Sequence, residues 1–206
     1  MEAAWKQDGN LGTVTRIEPE DVADLLVSGL VGAVVRGRQE VGPRALGHRS
    51  LLATPTSRES CNRMNRIKHR DWYRPCAPVL NEESVQKVFE VTLREGKSVT
   101  SSPYMSFAPL LRTEAQEAFP GIAHVDGTAR PQTVSRVRNN WLHRLLSHVA
   151  LSIGMPILID TSFNTHGRPI LNSAAEALHL LRSSEDLDFV VIEDYLFMHV
   201  NKRRPA

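Results

Sequence analysis

VGAVVRGRQEVGPRALGHRSLLATP, residues 31–55, reads as two apolar strands joined by a loop rich in glycine and arginine, with no helix between them. Short apolar runs bounded by turn residues are the signature of buried strands. Upstream, IEPEDVADLLVSGL (17–30) has Val22, Leu25, Leu26 and Leu30 at helical spacing, with acids in its first turn and glycines at its end. Downstream, SRESCNRMNRIK (57–68), NEESVQKVFE (81–90), NNWLHRLLSHVALSIG (139–154) and AAEALHLLRSS (174–184) read as helices. RPCAPVL (74–80), YMSFAPLL (104–111), PILIDTS (156–162) and DFVVIEDYLFMHV (188–200) read as strands. IAHVDGTARPQTVS (122–135) reads as two extended pieces about a turn at Asp126 and Gly127, and LREGKSVTSSP (93–103) as a polar loop. Strands and helices alternate, yet several strands follow one another directly. The expected fold class is therefore α/β, a twisted mixed β-sheet with flanking helices. Residues 1–17 form a lead-in and 18–206 a single domain in this reading.

The bulk numbers fit one soluble-type domain. The chain has 206 residues, 41% hydrophobic and 23% charged, with a formal net charge of +2. A charge that small does not by itself point to nucleic acid, although arginine clusters between Arg36 and Arg74 and the tail NKRRPA is basic. Two cysteines, Cys61 and Cys76, make no disulfide framework and are expected to be reduced, in the cytoplasm. No run approaches the ~18 apolar residues of a membrane span, and MEAAWKQDGN carries no signal-peptide core. No HExxH or CxxC is present, so no metal ligands are expected. A G-x-S-x-G hydrolase elbow is also absent.

Four constellations carry chemistry. GRQEVGPRALGHRS (37–50) follows a strand and offers Arg38, Arg44 and Arg49 with Gly42, Gly47 and the rigid Pro43. Arginine forks suit phosphate oxygens, and glycines let the backbone approach them; a solvated basic loop would look the same. MNRIKHRDWYRP (64–75) crowds Arg66, Lys68, His69, Arg70 and Arg74 at a helix end. A helix C-terminus attracts one or two cations, but five call for a polyanion. RNA would serve as well as a phosphorylated metabolite, because Trp72 and Tyr73 could stack on bases. HVDGTARPQTV (124–134) presents Arg130 beside what is also an ordinary turn. ILIDTSFNTHGRPI (157–170) ends a buried strand in Asp160, Thr161, Ser162, Asn164, Thr165 and His166, a density of small hydrogen-bonding groups suited to a nucleotide or a carbamoyl amide, although a capping and turn sequence would share it.

Taken in order, GRQEVGPRALGHRS, MNRIKHRDWYRPCAPV, YMSFAPL, HVDGTARPQTV and PILIDTSFNTHGRPI resemble the C-terminal domain of the NodU-type O-carbamoyltransferases, over about Val31 to Tyr195. The resemblance implies a YrdC-like fold with a basic concave cleft. It implies formation of carbamoyladenylate from carbamoyl phosphate and ATP, with Mg²⁺ accompanying the ATP. It further implies transfer to an acceptor hydroxyl, in an antibiotic or other secondary metabolite, by an actin-like N-terminal domain that this sequence lacks. Lys68, Arg74 and Arg130 are the implied catalytic cations, with Arg38, Arg44, Gly47, Arg49, Asn65, Ser162 and Asn164 binding substrate or nucleotide. The sequence departs from the family pattern at Asp160 and Arg168, where Asn and Glu are expected; the extra acid would weaken phosphate binding or bind Mg²⁺. Membrane association is not implied and nucleic acid is disfavoured, an RNA- or nucleotide-binding module without turnover being the alternative.

Overall fold

The computed structural model describes residues 14–90 and 101–198. Most of the lead-in, most of the 93–103 loop, the end of the last strand and the basic tail lie outside the described residues. Eight strands form one sheet: β1 (Thr15–Arg16), β2 (Gly32–Val35), β3 (Arg49–Ala53), β4 (Ala77–Asn81), β5 (Gln132–Val134), β6 (Ile157–Ser162), β7 (Phe189–Ile192) and β8 (Tyr195–Met198). Their spatial order is β1-β8-β7-β2-β3-β6-β4-β5. β2 and β7 run parallel, as do β4 and β5, and the other pairs are antiparallel. The sheet is mixed, as the strand–loop–strand reading of residues 31–55 expects. β2 and β3 are its antiparallel core pair, and the glycine–arginine loop opens at their end.

Helices cover both faces. α1 (Pro19–Val27) and α5 (Asn140–Ile153) pack Val22, Leu26, Leu142, Leu146 and Val149 onto Val34, Leu52, Val79, Leu158 and Val191. The opposite face takes α2 (Arg58–Ile67), α3 (Val85–Val88), α4 (Thr113–Ala118) and α6 (Ala174–Ser183) over Ala33, Leu51, Leu80, Ile157, Ile159 and Val190. Consecutive strand residues thus serve opposite cores, so the central strands read as unbroken apolar runs rather than alternating ones. Helix starts follow local chemistry. Ser57 and Asn139 accept from backbone amides at the starts of α2 and α5, Ser173 and Glu176 form a reciprocal capping box, and Gly154 ends α5 at φ +76°.

Two sequence expectations resolve differently, and a third segment adds a helix that the sequence reading does not assign. YMSFAPLL is irregular except for single bridges from Leu110 to Thr128 and from Leu111 to Phe89. Pro109 and the positive φ of Met105 interrupt any ladder there. NEESVQKVFE forms a 3₁₀ turn over Glu82–Ser84 and then only α3, a single turn. RTEAQEA contributes α4, whose six residues are too few to show helical periodicity. Tertiary burial of Ala115, rather than local propensity, holds that turn in place.

Candidate anion site

The loop between β2 and β3 is built around Glu40. One of its carboxylate oxygens accepts from the backbone amides of Leu46 (2.7 Å) and His48 (2.8 Å). Burial opposes ionisation, but the His48 imidazole and these amides overcome it and hold the carboxyl at about 2, so Glu40 stays an anion. Arg49 is buried, and its guanidinium donates to the carbonyls of Arg36 (2.9 Å), His48 (2.9 Å) and Gly37 (3.1 Å). It clamps the loop's two stems. Gly47, at φ +93°, lets the loop lie against α5, because a Cβ there would stand 2.5 Å from Leu142. The loop's interior is thus held by its own residues, while Arg38 and Arg44 are exposed on its outer turn.

The end of α2 supplies the next group. Lys68 is 6% exposed and follows the last helical residue. Its ammonium donates to the Ser162 hydroxyl (3.0 Å), to Asn164 Oδ1 (2.5 Å) and to the Ser162 carbonyl. Burial lowers its pKa to about 7, the neighbouring Arg70 adds to the drop, and Asp160 resists it. Asn65 is equally buried, and its amide nitrogen donates to the carbonyls of Trp72 (3.1 Å) and Arg74 (2.9 Å), while its oxygen accepts from Arg70. Asn65 therefore shapes the turn that carries the cations.

β6 ends at the same place. Asp160 is 2% exposed, and neither carboxylate oxygen has a hydrogen-bond partner; the nearby Ser50 hydroxyl falls short of bonding geometry. Burial pushes its pKa up to about 7, with Glu40 adding repulsion and Ser50 and Lys68 pulling the other way. The Ser162 hydroxyl donates to Asn164 Oδ1 (2.7 Å), and the Asn164 amide to the Arg168 carbonyl (2.6 Å), which fixes the turn after the strand.

These pieces enclose a cavity of about 190 Å³ whose lining includes Arg44, Arg70, Arg130, Asp160, Thr161 and Ser162. Three arginines and two hydroxyl residues bordering so small a volume, beside the protonatable Asp160 carboxyl, suit one small oxyanion group. Of the residues expected from sequence, Arg44, Arg130 and Ser162 line this cavity, and Lys68 stands behind Ser162. Asn164 faces a second depression with His69, His166 and His179. Arg74 lies in a third, with Trp72, Tyr73 and Arg58, and its guanidinium forms a 3.9 Å ion pair with Asp71. Gly47, Arg49 and Asn65 act on the frame. Arg70 was not singled out from its basic cluster; its distinguishing feature, the brace to buried Asn65, is a tertiary contact. Among the described residues no group of three or more His, Cys, Asp or Glu is placed to hold a metal. Among the described residues no helix is long and apolar enough to cross a membrane.

The fold matches solved structures at low identity. It superposes on HypF from T. kodakarensis with a TM-score of 0.57 at 16% identity, covering 84% of this chain and 20% of that one. For the Sua5 structure from P. abyssi complexed with L-threonine the TM-score is 0.55 at 14% identity, covering 87% and 48%. The architecture is thus the YrdC-like one expected. Sequence similarity reaches further. "Nodulation protein NolNO" of Sinorhizobium fredii is 39% identical over 185 residues, 89% of this chain and 26% of the relative. The 3'-hydroxymethylcephem-O-carbamoyltransferase of Streptomyces clavuligerus is 39% identical over 170 residues, 82% of this chain and 31% of the relative. The chain thus spans under a third of the length of these relatives. A family model described as "Carbamoyltransferase C-terminus" matches residues 23–199, and the chain belongs to that carbamoyltransferase family, corresponding to its C-terminal part.

Proposed function

We propose that this domain activates carbamoyl phosphate with ATP to give carbamoyladenylate, as the first half of an O-carbamoyl transfer. The observation that carries the reading is the convergence of Arg44, Arg70 and Arg130 with Ser162 on one small cavity, with Lys68 hydrogen-bonded to Ser162. Acyl-phosphate and adenylate chemistry moves negative charge among oxygens. It needs positioned donors more than it needs a nucleophile. The guanidiniums bind and orient the phosphoryl oxygens. Lys68, protonated when an anion arrives, holds Ser162 and Asn164 in place and adds its charge from behind. The balance consumes one water, since carbamoyl phosphate and ATP yield the adenylate, phosphate and pyrophosphate. No cluster of acidic ligands is present among the described residues, so Mg²⁺ would be held through the nucleotide phosphates. The transfer to an acceptor hydroxyl of a secondary metabolite is assigned to an actin-like domain supplied by another chain or by the remainder of a longer one.

The test is carbamoyl-phosphate-dependent release of pyrophosphate from ATP, with the actin-like partner added. Release is expected from the wild type and absent from Lys68→Met, whose circular dichroism should be unchanged. No release from the folded wild type at saturating substrates and with partner would sink the reading. A second reading, nucleotide or RNA binding without turnover, draws on Trp72 and Tyr73, which are 80% and 65% exposed beside Arg74. It expects RNA affinity that falls steeply with salt.

A further inference from the structure

Cys61 lies on α2 and Cys76 in the residues leading into β4, and both are buried. The two residues are neighbours in the fold. The Cys76 sulfur also lies 3.9 Å from the Cys61 carbonyl oxygen and 3.8 Å from the Met64 sulfur, and an Arg70 guanidinium nitrogen donates to it at 3.6 Å. The Cys61 thiol reaches the Arg74 carbonyl at 3.7 Å. Each cysteine also borders an opening. Cys76 lines the anion cavity, and Cys61 lines the adjacent depression of about 610 Å³ that holds Trp72, Tyr73 and Arg74. Two neighbouring cysteines, one of them bordering each opening, are placed for a small oxidant to reach them without unfolding.

We propose that Cys61 and Cys76 are a reversible redox-modification site, closing into an intramolecular disulfide at the wall of the anion cavity. The oxidant class is a peroxide. The Cys61 thiol gives up its proton, the thiolate attacks one peroxide oxygen, the O–O bond breaks, and Cys61 becomes a sulfenic acid while the leaving hydroxide takes up that proton and departs as water. The Cys76 sulfur then attacks the sulfenic sulfur, forming the S–S bond and releasing a second water. Two thiols are oxidised and one peroxide is reduced to two waters. The assignment of Cys61 as the attacking group agrees with its surroundings. The Cys76 thiol lowers the Cys61 pKa, burial opposes, and the Arg70 and Arg58 charges assist, whereas the Cys76 pKa is raised by Cys61 and by burial. The bond draws the Cys76 sulfur away from Arg70 and ties the α2 helix to the strand that borders the cavity.

The test exposes the folded full chain to hydrogen peroxide, alkylates the remaining thiols after denaturation, and maps the peptides by mass spectrometry. The expected result is loss of both titratable thiols and a cross-linked peptide joining Cys61 to Cys76, with both thiols recovered on adding dithiothreitol. In Cys76→Ser, or in Cys76→Ala if the serine does not fold, Cys61 should stop at a sulfenic acid that dimedone traps. The proposal is overturned if both thiols remain free after exposure. It is equally overturned if the product is a sulfinate or an intermolecular dimer.

Discussion

At the scale of single residues, Lys68 and Asp160 decide how the cavity responds to pH. Lys68 carries its proton below about 7 and loses it above, because burial makes the ammonium costly. A bound anion restores the charge, so binding takes up a proton. The affinity for sulfate, whose own charge is constant over this range, is expected to fall as pH rises through 7, where Lys68 loses its charge and the Asp160 carboxyl in the cavity wall gains one, by at most ~tenfold per pH unit for each linked proton. Isothermal titration across pH 6–9 measures it, and a flat profile would remove Lys68 from the site. Stability follows the same two groups with opposite signs. Between 3.8 and about 7 the folded protein holds a proton on Asp160 that the unfolded chain has released, so stability falls as pH rises. Between about 7 and 10.5 the unfolded chain holds a proton on Lys68 that the folded protein lacks, so stability rises with pH. Their joint contribution is least favourable near neutrality, and Asp160→Asn is expected to flatten the acid side of a urea-midpoint profile.

At the scale of elements, the arrangement rests on close approaches that only small residues permit. Gly32 opens β2 opposite Phe189 of β7, and a Cβ on it would stand 2.1 Å from the Phe189 ring. The ring is fully buried between α1, α5 and the sheet and has nowhere to move. Gly32→Ala is expected to destabilise the fold by about 1–3 kcal/mol through overpacking, read as a lower urea midpoint with unchanged slope. Much of this level is legible in the chain. Capping residues, proline and glycine stops and apolar runs place α1, α2, α5, α6 and β2, β3, β6 and β7. What was not legible is the middle of the chain, where α3, α4 and the 104–111 segment are too short for periodicity and take their shapes from their neighbours. The segment from 37 to 49 was legible as basic, but not as one whose Arg49 is spent on the loop's own carbonyls while Arg44 borders the anion cavity.

At the scale of the whole molecule, a buried tether joins segments far apart in sequence. Asp188 accepts from the Val31 amide (2.7 Å) and from Arg63 (2.6 Å), and Arg63 also donates to the carbonyls of Gly29 and Asp186. It links the α1–β2 turn, α2 and the approach to β7. Asp188→Ala is expected to cost about 1.5–3 kcal/mol, the range for hydrogen bonds to charged groups, visible in thermal unfolding. Sequence by itself determined the class of fold, the family and the supply of cations, because strand and helix periods are local and the ordered motifs are long. Tertiary structure alone decided which cations meet. Arg44, Arg70 and Arg130 come from three separate segments and converge only when the ends of β4 and β6 lie side by side, whereas Arg74, four residues from Arg70, turns to another face. Spacing along a chain fixes which side chains are available, but the direction of each past the end of a strand is set by packing and by buried hydrogen bonds such as those of Asn65.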